Sequence, residues 1–418
     1  MEIIKSHKSI RSCRLCSSKA LKKFVFFGDI PLGNNLLHKE SLAKNAEVYP
    51  LQINCCNSCS HFQLSTSVNP SRLYATNYTY LSGIGPSFVK HLNSYAKWAF
   101  KKFSLTKEST VVDIGSNDGT ALNCFKKLGC NVLGVDPAKQ ASDIANKNNI
   151  PTINSFFNDS TTSQILDKYG QIDFITSHNV LAHIEDLDSA FRNIFRLLKT
   201  QSYFVFEIGY FREVLEKGLF DTTYHEHLDY HHANPLCNYL ISIGFDICDI
   251  SSNPIQGGSL RIECQKTGDS IIHSSAKEFL MNEKNSILYK KTFLDNWESN
   301  IYTSMNSLNS HVINYQKQKL LIAGYGAPTK ITLLMELSKL NKKQIQFILE
   351  DNPLKVGKYL PISAIPILSI NELKNKKPDI IIIFAWNFAE DIINKLKGLV
   401  SWKLKCIIPL PFYREVNL

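Results

Sequence analysis

Long apolar runs are missing from this chain. The strongest is Ile380 to Trp386, and it follows Lys376, Lys377, Pro378 and Asp379. A membrane-spanning helix needs roughly 20 apolar residues, so this run reads as a buried strand and no membrane partner is expected. Blocks of like charge are missing too. The net charge is +10, but the lysines are scattered along the chain. A nucleic-acid binder would gather them in a patch or stripe, so no nucleic acid is expected, and the excess weakly favours an anionic small ligand. Residues Met1 to Arg11 are polar and basic, with no apolar signal core, so a cytoplasmic protein is expected. Charged residues make up only 20% and hydrophobic ones 44%, which excludes extended disorder. At about 150 residues per domain, the 418 residues suggest two or three domains.

Eleven cysteines are present, yet a chain this long has no need of a disulfide scaffold. Their spacing points elsewhere. Cys13-Arg-Leu-Cys16 and Cys56-Asn-Ser-Cys59 are two pairs of identical spacing. Two such turns supply four thiolates for one tetrahedral Zn²⁺. Cys55 adjoins the second pair but breaks its spacing. A site closed by four protein ligands is structural, since a catalytic zinc keeps one position open. Residues 1–70 therefore read as a small zinc-binding domain that depends on its metal. The other cysteines are isolated and read as small buried hydrophobes.

An aromatic stretch, Tyr74 to Tyr80, precedes a helical segment from Pro86 to Phe103. Its tyrosines either pack domains together or bond a polar ligand. The next segment is Thr110-Val-Val-Asp113-Ile-Gly115-Ser-Asn117-Asp118-Gly119, then Val132-Leu-Gly-Val-Asp136-Pro137. It is a strand, a glycine turn, a helix start and a second strand ending in an acid, the opening of a doubly wound sheet. Such glycines let backbone approach a ligand, and the acid suits ribose hydroxyls. The dinucleotide spacing Gly-x-Gly-x-x-Gly is absent. Asp-x-Gly-x-x-x-Gly instead resembles motif I of S-adenosylmethionine (SAM) methyltransferases. That assigns Asp113, Gly115, Asn117, Gly119, Asp136 and Pro137 to cofactor binding.

Strand and helix continue to alternate. Asn179, His183 and Glu207 fall just past strand ends, where open α/β sheets keep their chemistry. Tyr224-His225-Glu226-His227 and Tyr230-His231-His232 follow. So many polar rings are costly to bury without a purpose. Either they form a second metal site, or they perform acid–base chemistry near neutral pH; the second is preferred. Gln256-Gly257-Gly258-Ser259-Leu-Arg261 reads as a turn into a strand at a ligand edge. In the C-terminal part, Lys319 to Ala323 and Ile345 to Leu349 read as strands around Gly324-Tyr-Gly326-Ala-Pro-Thr329-Lys330. A helix start there suits a pyrophosphate, with Lys355 nearby and Asp351 after the second strand.

Over almost its whole length the chain resembles the sugar C-methyltransferases that act on nucleotide-linked 4-keto-deoxysugars. The matching residues are Cys13, Cys16, Cys56 and Cys59; Ile114 to Gly119; Asn179-Val-Leu-Ala-His183; Tyr224 to His227; and Gly257 to Arg261. It departs at Tyr230-His231, where an aromatic pair is expected, and at Asp113, where Glu is frequent. The resemblance implies an α/β protein with three parts. These are a zinc-binding domain (1–70), a central class I SAM methyltransferase domain with a Rossmann-like sheet (71–275), and a C-terminal Rossmann-like α/β domain that helps bind the nucleotide-sugar (276–418). It implies SAM and structural Zn²⁺ as cofactors. The implied substrate is a dTDP-linked 4-keto-deoxysugar, methylated at C3 or C5 through an enolate in branched-chain deoxysugar biosynthesis. His227 is the implied base. Tyr224, Tyr78 and His183 bond the enolate or orient the sugar, and Glu226 positions a histidine or loop. Asn179 joins the cofactor residues, while Lys330, Asp351, Lys355 and Arg261 face the substrate. A monomer is expected. Two other classes stay open: a zinc-containing NAD-dependent nucleotide-sugar dehydrogenase or epimerase, and a non-catalytic zinc and ligand-binding module.

Overall fold

A computed structural model gives the protein's structure, and it describes residues 6–74 and 81–418. The backbone packs as two compact units, each assembled from several stretches of chain. The first takes residues 1–23, 54–213 and 226–289; the second takes 24–53, 214–225 and 290–418. These limits follow spatial packing, whereas the division at about 70 and 275 follows sequence order.

In the first unit a seven-stranded sheet runs in the order Phe245–Asn253, Ser259–Lys266, Leu198–Gly209, Ile172–His178, Thr110–Ile114, Asn131–Val135, Thr152–Ile153. The five strands from Leu198–Gly209 to Thr152–Ile153 are parallel, and Ser259–Lys266 is antiparallel to both its neighbours. Chain order reverses between Thr110–Ile114 and Ile172–His178, and ligands of open α/β sheets gather at such a switch point. The expected doubly wound sheet is thus present. Its strands are nearly continuous β-branched and aromatic runs, because helices cover the faces of such sheets. Helix Pro86–Lys102 presents Phe88, Leu92, Tyr95, Ala96 and Ala99 on one buried face. Tyr95 and Ala99 pack with Val111, Phe125, Phe174 and Val205.

The N-terminal stretch adds short pairings. His7–Ser9 lies antiparallel to Thr66–Val68, and Phe62–Leu64 is antiparallel to Asp229–Tyr230, the latter strand lying within the histidine-rich segment.

The second unit holds a six-stranded sheet in the order Ile367–Ser369, Ile348–Glu350, Ile322–Tyr325, Ile380–Ile383, Lys405–Ile408, Arg414–Asn417, with only the last strand antiparallel. The apolar run at Ile380 is its buried central strand, as its flanking charges predict. A 27-residue helix, Lys291–Lys317, buries Trp297, Ile301, Met305, Leu308 and Val312, a single stripe at helical spacing. No helix among the described residues is long and apolar enough to cross a membrane.

Candidate functional site

The two cysteine pairs meet. Cys13 Sγ lies 3.5 Å from Cys59 Sγ, and Cys16 Sγ lies 3.6 Å from Cys56 Sγ. All four sulfurs fall within 4.8 Å of one another. Zn–S bonds of about 2.3 Å in a tetrahedron place sulfurs about 3.8 Å apart, so the set fits one Zn²⁺. The two turns close alike: Ser17 N–H donates to Cys13 O at 2.9 Å, and Ser60 N–H to Cys56 O at 2.8 Å. Both serines take left-handed backbone, φ +58° and +67°. The hydrogen bond from the neighbouring Cys59 thiol draws the Cys13 thiol well below its ordinary value, against burial that would raise it. Cys55 stands outside the cluster, and burial pushes its thiol up to about 12.

The Asp113–Gly119 turn leaves its strand at the switch point. Gly115 has φ +73°, and a Cβ there would sit 2.3 Å from Val180 Cγ2, so only glycine lets the two loops close. Gly115 N–H donates to Val135 O at 2.8 Å, which binds the turn to the next strand. At the end of that strand, Asp136 accepts from Asn117 N–H at 2.9 Å and Ala138 N–H at 2.8 Å. Asn117 Oδ1 and Asp118 Oδ2 in turn accept the N–H groups of Ser82 and Gly83. Asp113 is 2% exposed, and its Oδ1 has no hydrogen-bond partner among the described residues. Burial pushes its carboxyl up to about 7. An orphaned buried acid beside a glycine turn suits a cationic ligand, and SAM carries two positive centres. Pro137 follows Asp136, and Asn179 lies across the switch point with φ +57°.

The histidine-rich segment separates into scaffold and site. His225 is 2% exposed, with Nε2 3.2 Å from Tyr49 O. His232 is bound between Glu283 and the Ser60 carbonyl. His231 is fully enclosed, and burial holds it down at about 3. His227 is half-buried. It pairs edge-on with His183, ring centroids 4.8 Å apart. Burial lowers His183 to about 4, against backbone hydrogen bonds at Glu226 and Asn179 that raise it. His183 is therefore neutral at pH 7. Leu228 N–H donates to Ala182 O at 2.7 Å, joining the two segments one residue from each ring. Glu226 is buried, with a backbone hydrogen bond to His183. Tyr224 is half-buried in the second unit. Tyr78 lies outside the described residues. Among those described, the four cysteines alone gather as a metal-ligating group.

Arg261 does not stand open to a ligand. Its Nε and Nη2 donate to Glu207 Oε1 at 2.9 and 2.6 Å, and its guanidinium lies 4.4 Å from the Trp98 ring centroid. Glu207 also receives His91 at 2.7 Å and His178 at 3.2 Å. Burial would raise this carboxyl, yet the His178 and His91 bonds and the Arg261 charge hold it far below the usual range. Glu207 and Arg261 are in-register partners on neighbouring strands, a pairing that 54 residues of separation conceal.

In the second unit, Gly326 has φ +82° in the turn after Ile322–Tyr325. Glu350, ending the next strand, accepts from Ala327 N–H at 2.8 Å. Lys330 is 9% exposed; it lies 3.2 Å from Asp221 Oδ2, donates to Asn387 at 2.8 Å and covers the Trp386 ring. Lys355 donates to Ala327 O at 2.9 Å, and burial lowers both lysines. Asp351 accepts from Tyr325 O–H at 2.8 Å and from Lys395. Thus Lys330, Lys355 and Asp351 surround one turn, but all three already have protein partners. Asp221, which sequence reasoning passed over, has a buried Oδ1 with no partner among the described residues.

Three family descriptions match successive parts of the chain: a zinc binding domain at residues 13–74, a methyltransferase domain at 88–250, and a C-methyltransferase C-terminal domain at 254–411. The C-methyltransferase NovU of Streptomyces niveus is 30% identical over 411 residues, covering 98% of each protein. Among solved structures, a SAM-dependent methyltransferase from Archaeoglobus fulgidus is 17% identical over 43% of this chain and 94% of its own, with TM-score 0.35. Magnesium protoporphyrin IX methyltransferase of Synechocystis, solved with SAM, is 14% identical over 43% of this chain and 79% of its own, with TM-score 0.33. The dehydrogenase and binding-module alternatives find no such support. With a full-length relative and all three domains in order, the chain belongs to the SAM-dependent, zinc-binding C-methyltransferases.

Proposed function

We propose that the enzyme methylates the carbon next to the keto group, C3 or C5, of a dTDP-linked 4-keto-deoxysugar in branched-chain sugar biosynthesis. The observation that carries this is the His183–His227 pair, placed beside the switch point of the methyltransferase sheet. Methylation at carbon needs a carbanion equivalent, and a neighbouring ketone acidifies the C–H. His227 takes that proton on its imidazole, and the C–H electron pair moves into an enolate whose charge rests on the ketone oxygen. Tyr224 and Tyr78 donate hydrogen bonds to that oxygen. His183, neutral and anchored to backbone, orients His227. Glu226 supports His183 from the backbone.

SAM, when bound, supplies the electrophilic methyl group. Asp136 receives its ribose hydroxyls, Asp113 faces its positive charge, and Gly115, Asn117, Gly119, Pro137 and Asn179 line the remaining cradle. Zn²⁺ on the four cysteines is structural. Lys330, Lys355 and Asp351 serve the nucleotide end of the substrate, while Arg261 positions Glu207. We assign residues 1–70, 71–275 and 276–418 to zinc binding, methyl transfer and nucleotide-sugar binding, in a cytoplasmic monomer.

The test is to incubate SAM with a panel of dTDP-linked 4-keto sugars and identify products by mass and NMR. His227→Ala should cut turnover roughly 10²–10⁴-fold with SAM affinity retained. It should equally slow deuterium exchange at the sugar carbon when S-adenosylhomocysteine replaces SAM. Methylation at oxygen, or no product from any keto sugar, would overturn the substrate assignment. Normal exchange in His227→Ala would move the base elsewhere.

A further inference from the structure

Arg14 sits between two zinc ligands, in Cys13-Arg14-Leu15-Cys16, yet its side chain is only 9% exposed. Its Nε lies 2.9 and 3.0 Å from the two carboxylate oxygens of Asp229. Its Nη1 donates to Glu185 O at 2.8 Å and its Nη2 to Ile184 O. All three guanidinium nitrogens are therefore engaged. Ile184 and Glu185 directly follow His183, and Asp229 lies two residues after His227.

The surroundings leave little slack. Asp229 is completely buried and also meets His61 Nε2 at 2.9 Å. Burial would raise its carboxyl, yet Arg14 and His61 hold it down at about 2. Asp229 pairs in register with Gln63, whose Oε1 accepts Arg14 N–H at 2.8 Å and whose Nε2 donates to Ser12 O at 3.1 Å. The first zinc turn is thus joined through one planar side chain to both segments that carry the histidine pair.

We propose that Arg14 is a positioning residue for the reaction: it fixes His183 against His227 by holding the Ile184 and Glu185 carbonyls and the Asp229 carboxylate in one fork. The zinc site then acts on chemistry through Arg14, besides stabilising the fold. This rests on His227 as the base. A lysine keeps the charge but cannot reproduce a planar fork, and a misplacement of about 1 Å can cost on the order of 10²-fold in rate.

The test uses Arg14→Lys in the full-length, zinc-loaded enzyme, with dTDP-4-keto-6-deoxyglucose as probe. Turnover and deuterium exchange should fall together by at least about 10-fold. Zinc content, SAM affinity and the sugar KM should stay within about threefold. Unchanged turnover overturns the proposal, as does a loss that only parallels lost zinc or lost SAM binding. Should Arg14→Lys fail to fold, the neutral pair Arg14→Gln with Asp229→Asn removes the fork without stranding a buried charge, and the same criteria apply. A second readout needs no substrate. Spectra of ¹⁵N-histidine-labelled free enzyme, assigned with His183→Gln and His227→Gln, should show both signals displaced in the Arg14 variant. Unmoved signals overturn the positioning role even if the sugar assignment is wrong. Normal turnover in His227→Ala overturns the base assignment and leaves this spectral arm standing.

Discussion

The turn Asp113–Gly119 in one unit and the turn Gly324–Lys330 in the other both leave a parallel strand where the sheet order reverses. Each is tied down by the acid ending the next strand: Asp136 accepts Asn117 N–H, and Glu350 accepts Ala327 N–H. The backbone device is shared, but the charge around it is not. The first turn contains no lysine or arginine, and a buried carboxylate oxygen of its Asp113 has no partner among the described residues. The second brings two lysines to its rim, the buried Lys330 and the half-buried Lys355, each already held by a protein partner. One glycine turn thus carries an acid and no base, while the other mixes lysines with carboxylates; the first suits the sulfonium cofactor, and the second is the turn proposed above for the nucleotide end of the substrate. Fold alone would not tell them apart.

The sharpest way to break this comparison is to add one methyl group to each turn. Left-handed backbone costs about 1–2 kcal/mol outside glycine, and overpacking typically adds about 1–3 kcal/mol. Gly115→Ala, driven into Val180, should weaken SAM binding on the order of 100-fold or more. Gly326→Ala, whose Cβ would lie 2.7 Å from Ala385 Cβ, should weaken dTDP binding and leave SAM calorimetry unchanged. Equal loss of SAM binding in both would erase the distinction.

Next in size is Asp136→Ala. Losing a hydrogen-bonded charge at the ribose is worth about 1.5–3 kcal/mol, so SAM affinity should drop roughly 10–100-fold by calorimetry. An unchanged affinity would move the cofactor away from this turn. A smaller effect is expected from Lys355→Met, which should reduce dTDP affinity by about 5–10-fold, near the lower end for a bond to a charged group. Wild-type dTDP binding should also weaken with added salt; indifference to both changes would remove the anion-binding role proposed for the second turn.

The mildest test concerns pH. Burial raises Asp113 from 3.8 in its ordinary state to about 7 in the folded protein. A raised acid contributes fully below about pH 4, and that contribution is lost as pH rises through about 7. Ligand-free enzyme should therefore melt at progressively lower temperature from pH 5 to pH 8. Asp113→Asn should flatten that slope, and a parallel curve for the variant would show that Asp113 is not its source.

What the sequence makes legible follows chain distance. The zinc ligands are legible because each pair is a three-residue spacing, and the cofactor turn because Asp113 to Asp136 is one continuous βαβ opening. His227 stands out, but its neighbours look equally reactive until packing shows His225, His231 and His232 enclosed. Arg261 reads as a ligand residue because nothing nearby in sequence announces Glu207. Likewise Lys330 finds Asp221, and Arg14 finds Asp229, only after distant strands and turns assemble. Buried charge pairs are long-range facts, and a single sequence carries no register for them.

The division of the chain into interleaved stretches also shapes how the protein is made. The second unit takes residues 24–53 early, but Phe24 and Phe27 meet the Trp297 ring only once the stretch beyond residue 290 appears, roughly 240 residues later. Synthesis at about 5–20 residues per second leaves Phe24 and Phe27 without that ring for on the order of ten to fifty seconds. Within that interval the four cysteines are already out, so metal capture can precede completion of the second unit.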